Sequence, residues 1–317
     1  MASTALAGVE ASAARPERSS WTRILESRGF LGALFMLPAA VILLFFLTYP
    51  LGLGVWLGFT DTRLNRPGAF IGIENYESLS DDPIFLLSIF NTILYTSVAS
   101  VLKFALGLWL ALILNERLPF KAFFRAIVLL PWVVPTVLSA IAFWWIFDAQ
   151  FSIISWTLLK FGIISSPINF LGDPTNARAS VIAANVWRGI PFVAITLLAG
   201  LQTISPSLQE AATLDGATPW QRFRHITLPL LTPIIAVVMT FSVLFTFTDF
   251  QLIYVLTRGG PLNATHLMAT LSFQRFSSGQ LGEGAAIAVA MIPFLLAAIL
   301  FSYFGLQRRR WQQGGAD

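Results

Sequence analysis

Long apolar runs alternate with short polar ones along this chain, and the run lengths set out its architecture. From Phe30 to Phe59 there is no charged residue. A hydrocarbon core of about 30 Å takes roughly 20 helical residues to cross. This run therefore predicts a first membrane span, and it is too long for the apolar segment of a cleaved signal. Later runs predict spans at about 89–114, 126–147, 179–202, 230–256 and 284–306. The polar stretches between them differ in kind. Residues 60–88 place Pro, Gly, Asn and Asp where turns form, which predicts an external loop with one interfacial helix. The stretch FSIISWTLLKF, 151–161, is amphipathic and is cut short by Lys160, so it predicts a helix lying at the interface. Pro131 and Pro135 fall inside the third run and predict a kink there.

Composition agrees with a polytopic membrane protein. The 317 residues are 56% hydrophobic and 11% charged, against roughly 25% charged in soluble domains. There are no cysteines, which excludes disulfides and thiolate metal sites, and the two histidines, His225 and His266, form no ligand cluster. A formal charge of +4 would fit nucleic acid only if the basic residues were clustered. They instead follow the membrane topology. Arg15, Arg18, Arg23, Arg28, Arg117, Lys121, Arg125, Arg222, Arg224 and Arg308 to Arg310 fall in segments assigned inside. Arg63, Arg66, Lys160, Arg178, Arg258 and Arg275 fall outside. This bias puts both termini in the cytoplasm. The expected organisation is a cytoplasmic tail over 1–28, a six-helix membrane domain over 29–307 and a cytoplasmic tail over 308–317.

Charges at membrane depth cost a few kcal/mol each and call for a partner, water or a function. Lys103, Arg188 and Asp249 are three such charges. Nothing polar but Ser100 is read as sharing the face of Lys103, which favours a structural role for it. Arg188 and Asp249 have company. Asn185, Arg188, Gly189 and Phe192 recur at i, i+3, i+4 and i+7, and Ser242, Thr246 and Asp249 at i, i+4 and i+7, so each set shares one helix face. Two such stripes with an aromatic ring suit a hydroxylated ligand, with Arg188 and Asp249 paired to each other as the structural alternative. No nucleophile–base pair or paired carboxylate lies at this depth, which argues against an enzyme. An ion-gradient-driven secondary transporter using Lys103, Arg188 and Asp249 is the alternative function.

Between the fourth and fifth runs lies a polar segment, 203–229. Ser205-Pro206 reads as a helix start, Gly216 as a left-handed C-terminal cap, and Thr218-Pro219 as a second start. Two short helices joined at a glycine follow, with Ala211 and Ala212 leaving a flat surface beside Glu210. Glu210-Ala211-Ala212, three residues, Gly216, nine residues, Ile226, one residue, then Leu228-Pro229 resembles the EAA signature of permease subunits in binding-protein-dependent ABC importers. The segments FIGIENYESL, NTILYT, NVWRGIPF and FTDFQLIYVLTRGGPLNAT are similar to the sugar-importer branch, and to the larger permease of the maltose system within it.

The resemblance implies an all-α fold of six transmembrane helices of the type I ABC importer permease kind, in the inner membrane. It implies that Glu210, Ala211, Ala212, Gly216, Ile226, Leu228 and Pro229 couple to an ATPase, and that Asn185, Arg188, Gly189, Phe192, Ser242, Thr246 and Asp249 contact a sugar or sugar derivative. The chain departs from the maltose permease, which has Leu, Tyr and Asn where Arg188, Phe192 and Asp249 stand, and its 60–88 loop is too short for that protein's large external domain. Implied partners are a second permease in a heterodimer, two ATP-binding subunits, an extracytoplasmic solute-binding protein and membrane lipid, with no nucleic acid. No GxxxxGK[ST] motif is present, so ATP and Mg are expected in the partner ATPase and no cofactor on this chain.

Overall fold

A computed structural model of the chain describes residues 27–116 and 118–300. The tail expected at 308–317, nearly all of that expected at 1–28, and Arg117 lie outside the described residues. Among the described residues the regular elements are helices, with two isolated β-bridges, Thr60 to Phe70 and Arg63 to Arg66.

α1 (Arg28–Leu57) starts at Ser27, whose hydroxyl accepts from Phe30 N at 3.2 Å. A π-helical turn, Leu44–Thr48, interrupts it just before Pro50: Tyr49 N–H donates to the Leu44 carbonyl five residues back, and proline then has no N–H to give. The helix is apolar all round, the composition of a membrane span.

The described residues from Val55 onward form a second compact unit. α2 (Glu74–Asp81) is the short helix expected in the 60–88 loop. α3 (Pro83–Asn115) begins six residues before the expected 89, because Asp82 caps it by accepting from Ile84 N at 2.8 Å and Pro83 suits the first turn. α7 (Pro174–Leu201) likewise begins before 179, with Asp173 accepting from Thr175 N at 3.0 Å and Asn176 N at 2.9 Å. Capping residues sit outside the apolar run, so hydropathy alone places both starts late.

The third run is not one helix. It divides into α4 (Lys121–Val133) and α5 (Thr136–Ile146), bent by 89°. The break falls at Val134, extended at φ −63° and ψ 130°, since the ring of Pro135 disfavours the helical region for the residue before it. Pro131 leaves α4 unbroken. α6 (Ile153–Lys160) is the short helix expected there, with Lys160 over the Trp156 ring at 4.9 Å. The fifth run is α10 (Leu228–Phe247) and α11 (Gln251–Leu256), divided at 248–250 rather than continuous to 256. α12 (Met268–Ser277) precedes α13, which runs from Leu281 to Leu300 with a turn at Met291. Among the described residues, five helices are long and apolar enough to cross a membrane, or six if the bent α4–α5 pair is one span.

α3 and α7 make the centre of this unit. They approach so closely that a Cβ on Gly107 would lie 2.7 Å from Val193 Cγ1. Leu197, Leu198 and Leu201 of α7 pack with Ala111 and Leu114 of α3 and Leu231 of α10 toward one end. Toward the other, Tyr95 and Val181 pack with Leu252 and Ile253 of α11. There Asn91 Nδ2 donates to the His266 carbonyl at 3.1 Å and Arg178 Nε donates to Asn91 Oδ1 at 3.0 Å, so the loop between α11 and α12 is tied to the α3–α7 pair.

Candidate functional site

All of Asn185, Arg188, Gly189, Phe192, Ser242, Thr246 and Asp249 line one cavity of about 530 Å³, between α7, the end of α10 and the bend of α4–α5. Two helical stripes read separately from the sequence therefore meet at one surface. Trp132 of α4 and Phe245 of α10 complete an aromatic wall. Trp132 stacks on Phe192 with centroids 5.0 Å apart, and Phe245 meets Phe192 edge-on at 6.2 Å. Phe192 thus gives part of its π-surface to the protein, and the wall offered to a ligand is composite. The Arg188 guanidinium lies 5.9 Å from the Trp132 ring, a cation–π contact, and its Nε has no hydrogen-bond partner.

The ion pair between Arg188 and Asp249 weighed as the structural alternative is not formed. Asp249 Oδ2 accepts from Tyr95 Oη at 2.7 Å and from Asn185 Nδ2 at 2.9 Å. Lys103 also differs from its sequence reading. It is 4% exposed, lines the cavity, and its Nζ donates to Asn185 Oδ1 at 3.0 Å and to Thr246 Oγ1. The signal was present in the sequence: Ser88, Asn91, Thr92, Tyr95, Thr96, Ser100 and Lys103 make a stripe at three- and four-residue spacing, all buried. Tyr95 and Trp132 were missed as well, Tyr95 as part of that stripe and Trp132 because only the bend brings it to α7.

The 203–229 segment forms the two helices expected. α8 (Pro206–Leu214) ends in a Schellman motif: Gly216 N donates to the Thr213 carbonyl at 3.1 Å and Ala217 N to the Ala212 carbonyl at 2.9 Å. Gly216 has φ +80°, the left-handed conformation that favours glycine. Ser205 holds the N-cap position, but its hydroxyl makes no bond to the helix backbone and meets that of Ser207 at 2.8 Å instead. Thr218 and Gln221 form a capping box at the start of α9 (Pro219–Arg222), which the sequence reading overlooked. α9 passes through a π-helical turn, Phe223–Thr227, straight into α10, so Pro229 marks no break. As in α1, the widened turn stands just before a proline.

Glu210, Ala211, Gly216 and Pro229 are exposed, whereas Ala212, Ile226 and Leu228 are half-buried. Glu210 lines a second cavity of about 580 Å³ with Pro219, Arg222 and Thr227. Arg222 Nη1 donates to Thr213 Oγ1 at 2.8 Å and Gln209 Nε2 to Thr227 Oγ1 at 3.1 Å, joining the two arms. Leu214 is 89% and Trp220 66% exposed, an apolar tip on a polar hairpin. None of the residues of α8 or α9 is buried.

A bundle of apolar spans around a polar cavity, with a capped hairpin leading into a cavity-lining helix, has the build of a solute permease. Residues 103–313 match the model of the family described as binding-protein-dependent transport system inner membrane component. The chain belongs to this family. It is 37% identical over 281 residues to the trehalose/maltose transport system permease protein MalF of Thermococcus litoralis, covering 88% of this chain and 95% of that one. It is 36% identical over 275 residues to the sulfoquinovosyl glycerol transport system permease protein SmoG of Agrobacterium fabrum, covering 86% and 89%. Its fold matches a chain in the crystal structure of a bacterial ABC transporter involved in the import of the acidic polysaccharide alginate, with TM-score 0.76 and 26% identity over 92% of this chain and 98% of that one.

The protein is therefore an all-α, multi-pass inner-membrane permease of the type I ABC importer kind, and ATP hydrolysis in such importers belongs to a separate subunit. Nothing in these relatives supports the ion-gradient-driven secondary transporter.

Proposed function

We propose that this chain is one of two different permeases forming a pathway for a sugar or sugar derivative. The meeting of both polar stripes and an aromatic wall at a single cavity carries this reading, because a saccharide presents hydroxyls around its edge and apolar C–H faces. Of the groups there, the Asp249 carboxylate accepts from hydroxyls, the Arg188 guanidinium donates, and the aromatic wall takes a ring face. Relatives named for trehalose, maltose and sulfoquinovosyl glycerol support the same class of solute.

In this reading both termini and the α8–α9 hairpin face the cytoplasm. The hairpin seats in an ATP-binding subunit, two of which hold ATP and Mg, while a solute-binding protein docks on the opposite side. Glu210 makes a polar contact at the ATPase cleft and Gly216 sets the bend. ATP-driven closure moves the hairpin and opens the cavity outward. The test is mass spectrometry of proteins recovered with the tagged chain after gentle extraction from its native membrane. Recovery of an ATPase, a second permease and a binding protein is the expected result. Recovery of the chain alone, or only with copies of itself, would overturn it.

A further inference from the structure

Lys103 lies on α3, the one long helix of the site that carries none of the residues first assigned to the solute. Its position is nevertheless central. The Nζ donates to Asn185 of α7 and to Thr246 of α10, and so joins the two stripes. Each of those partners passes the constraint on. Asn185 receives Lys103 at Oδ1, so its Nδ2 must turn to Asp249 Oδ2, where Tyr95 of α3 also donates. Thr246 receives Lys103 at Oγ1 and gives its own proton to the Ser242 carbonyl, so its hydroxyl rotor is fixed as well. Removal of the ammonium frees both.

The path of the lysine side chain is built as carefully as its end. A Cβ on Gly189 would overlap Lys103 Cδ, so the glycine on the solute face of α7 is the clearance over which the stem crosses. This gives Gly189 a reason other than ligand contact. It also explains how a long flexible cation is held at 4% exposure in a cavity wall.

The consequence for the ligand follows from which lone pairs are spent. Asp249 Oδ2 already has two donors, whereas Oδ1 has only the Leu252 amide at 3.4 Å. The orientation fixed through Asn185 therefore leaves Oδ1 as the acceptor for a ligand hydroxyl. We propose that Lys103 is a positioning residue of the solute site, setting Asn185, Thr246 and through them Asp249, with Gly189 as the gap that admits its stem. This rests on the reading of the cavity as the solute site, and the experiments separate the two.

The first needs no ligand. Since the chain has no cysteine of its own, a Ser242→Cys variant in the assembled importer in membrane vesicles reports local order by its rate of labelling with N-ethylmaleimide. A Ser272→Cys variant, at a buried serine of α12 whose hydroxyl donates to the Gly284 carbonyl of α13 at 2.7 Å, reports general loosening. Adding Lys103→Met should speed labelling at 242 by about tenfold, the scale of a lost charge-assisted hydrogen bond, and leave 272 unchanged. Equal rates at 242, or faster labelling at both sites, would overturn the proposal.

The second uses radiolabelled trehalose as the probe for uptake. Lys103→Met should raise KM at matched membrane abundance. A KM equal to that of the unmodified importer, with only Vmax following abundance, would overturn the positioning role. Absence of uptake by the unmodified importer would reject trehalose as its solute and leave the labelling result to decide on Lys103. Gly189→Ala completes the set. It should impair uptake alone and add nothing to Lys103→Ala, whose shortened side chain no longer crosses the glycine, whereas additive losses would contradict the clearance.

Discussion

In the cavity, polar side chains bond to one another across α3, α7 and the end of α10, at sequence separations of 64 to 154 residues. In the α8–α9 hairpin they bond mostly to backbone or side chains within a few positions, as in the Thr218–Gln221 capping box and the Schellman turn at Gly216. One site is buried and assembled by the whole unit, and the other is exposed and shaped by its own caps. A defect in the first should damage packing and solute recognition together. A defect in the second should damage coupling while the membrane unit stays intact.

The largest effect is expected at Gly216. A β-branched residue at φ +80° meets no neighbour but carries about 1–2 kcal/mol of backbone strain and undoes the bend between the arms. Gly216→Val should abolish uptake with normal membrane abundance; normal uptake would remove the coupling role. Next comes Asp249→Ala, which leaves Tyr95 Oη and Asn185 Nδ2 buried without their acceptor, at roughly 1–3 kcal/mol each. It should lower both the melting temperature of the purified complex and uptake, the latter about a hundredfold, and loss of uptake without loss of stability would contradict the network.

Arg188→Leu removes a group that has no ion-pair or hydrogen-bond partner at Nε, so it should lower apparent solute affinity about tenfold while leaving the melting temperature in place. Lower stability with unchanged affinity would instead assign Arg188 to structure. The smallest effect belongs to Thr218→Ala, which loses an exposed cap worth about 1 kcal/mol. Uptake should fall by no more than about fivefold, and a complete loss would show that Thr218 does more than begin a helix.

The same contrast explains what could be read from the sequence. Membrane spans and the ends of the hairpin helices are local, so run lengths and turn residues disclosed most of them; the exceptions are starts displaced by Asp82 and Asp173, the division of the fifth run at 248–250, and the Thr218–Gln221 capping box. Both solute stripes were legible because each repeats along one helix. Their meeting at one cavity came only with the fold, and the same holds for the role of Lys103, whose partners lie 82 and 143 residues away. The break at Val134 was half legible: two prolines marked the third run, but which of them ends the helix depends on how the neighbours hold α4 and α5.

The passage of α9 into α10 without a loop has a mechanical meaning. From Trp220 to Thr246 the chain is helical throughout, about 39 Å at 1.5 Å per residue. Such a rod transmits rotation rather than absorbing it. A tilt of about 5° pivoted at the hairpin would carry Thr246 roughly 3 Å, enough to part it from Lys103. The hydrogen bonds that shape the cavity would then act as a gauge of how the hairpin is seated, and a ligand that favours one seating would be felt at the far end of the same rod.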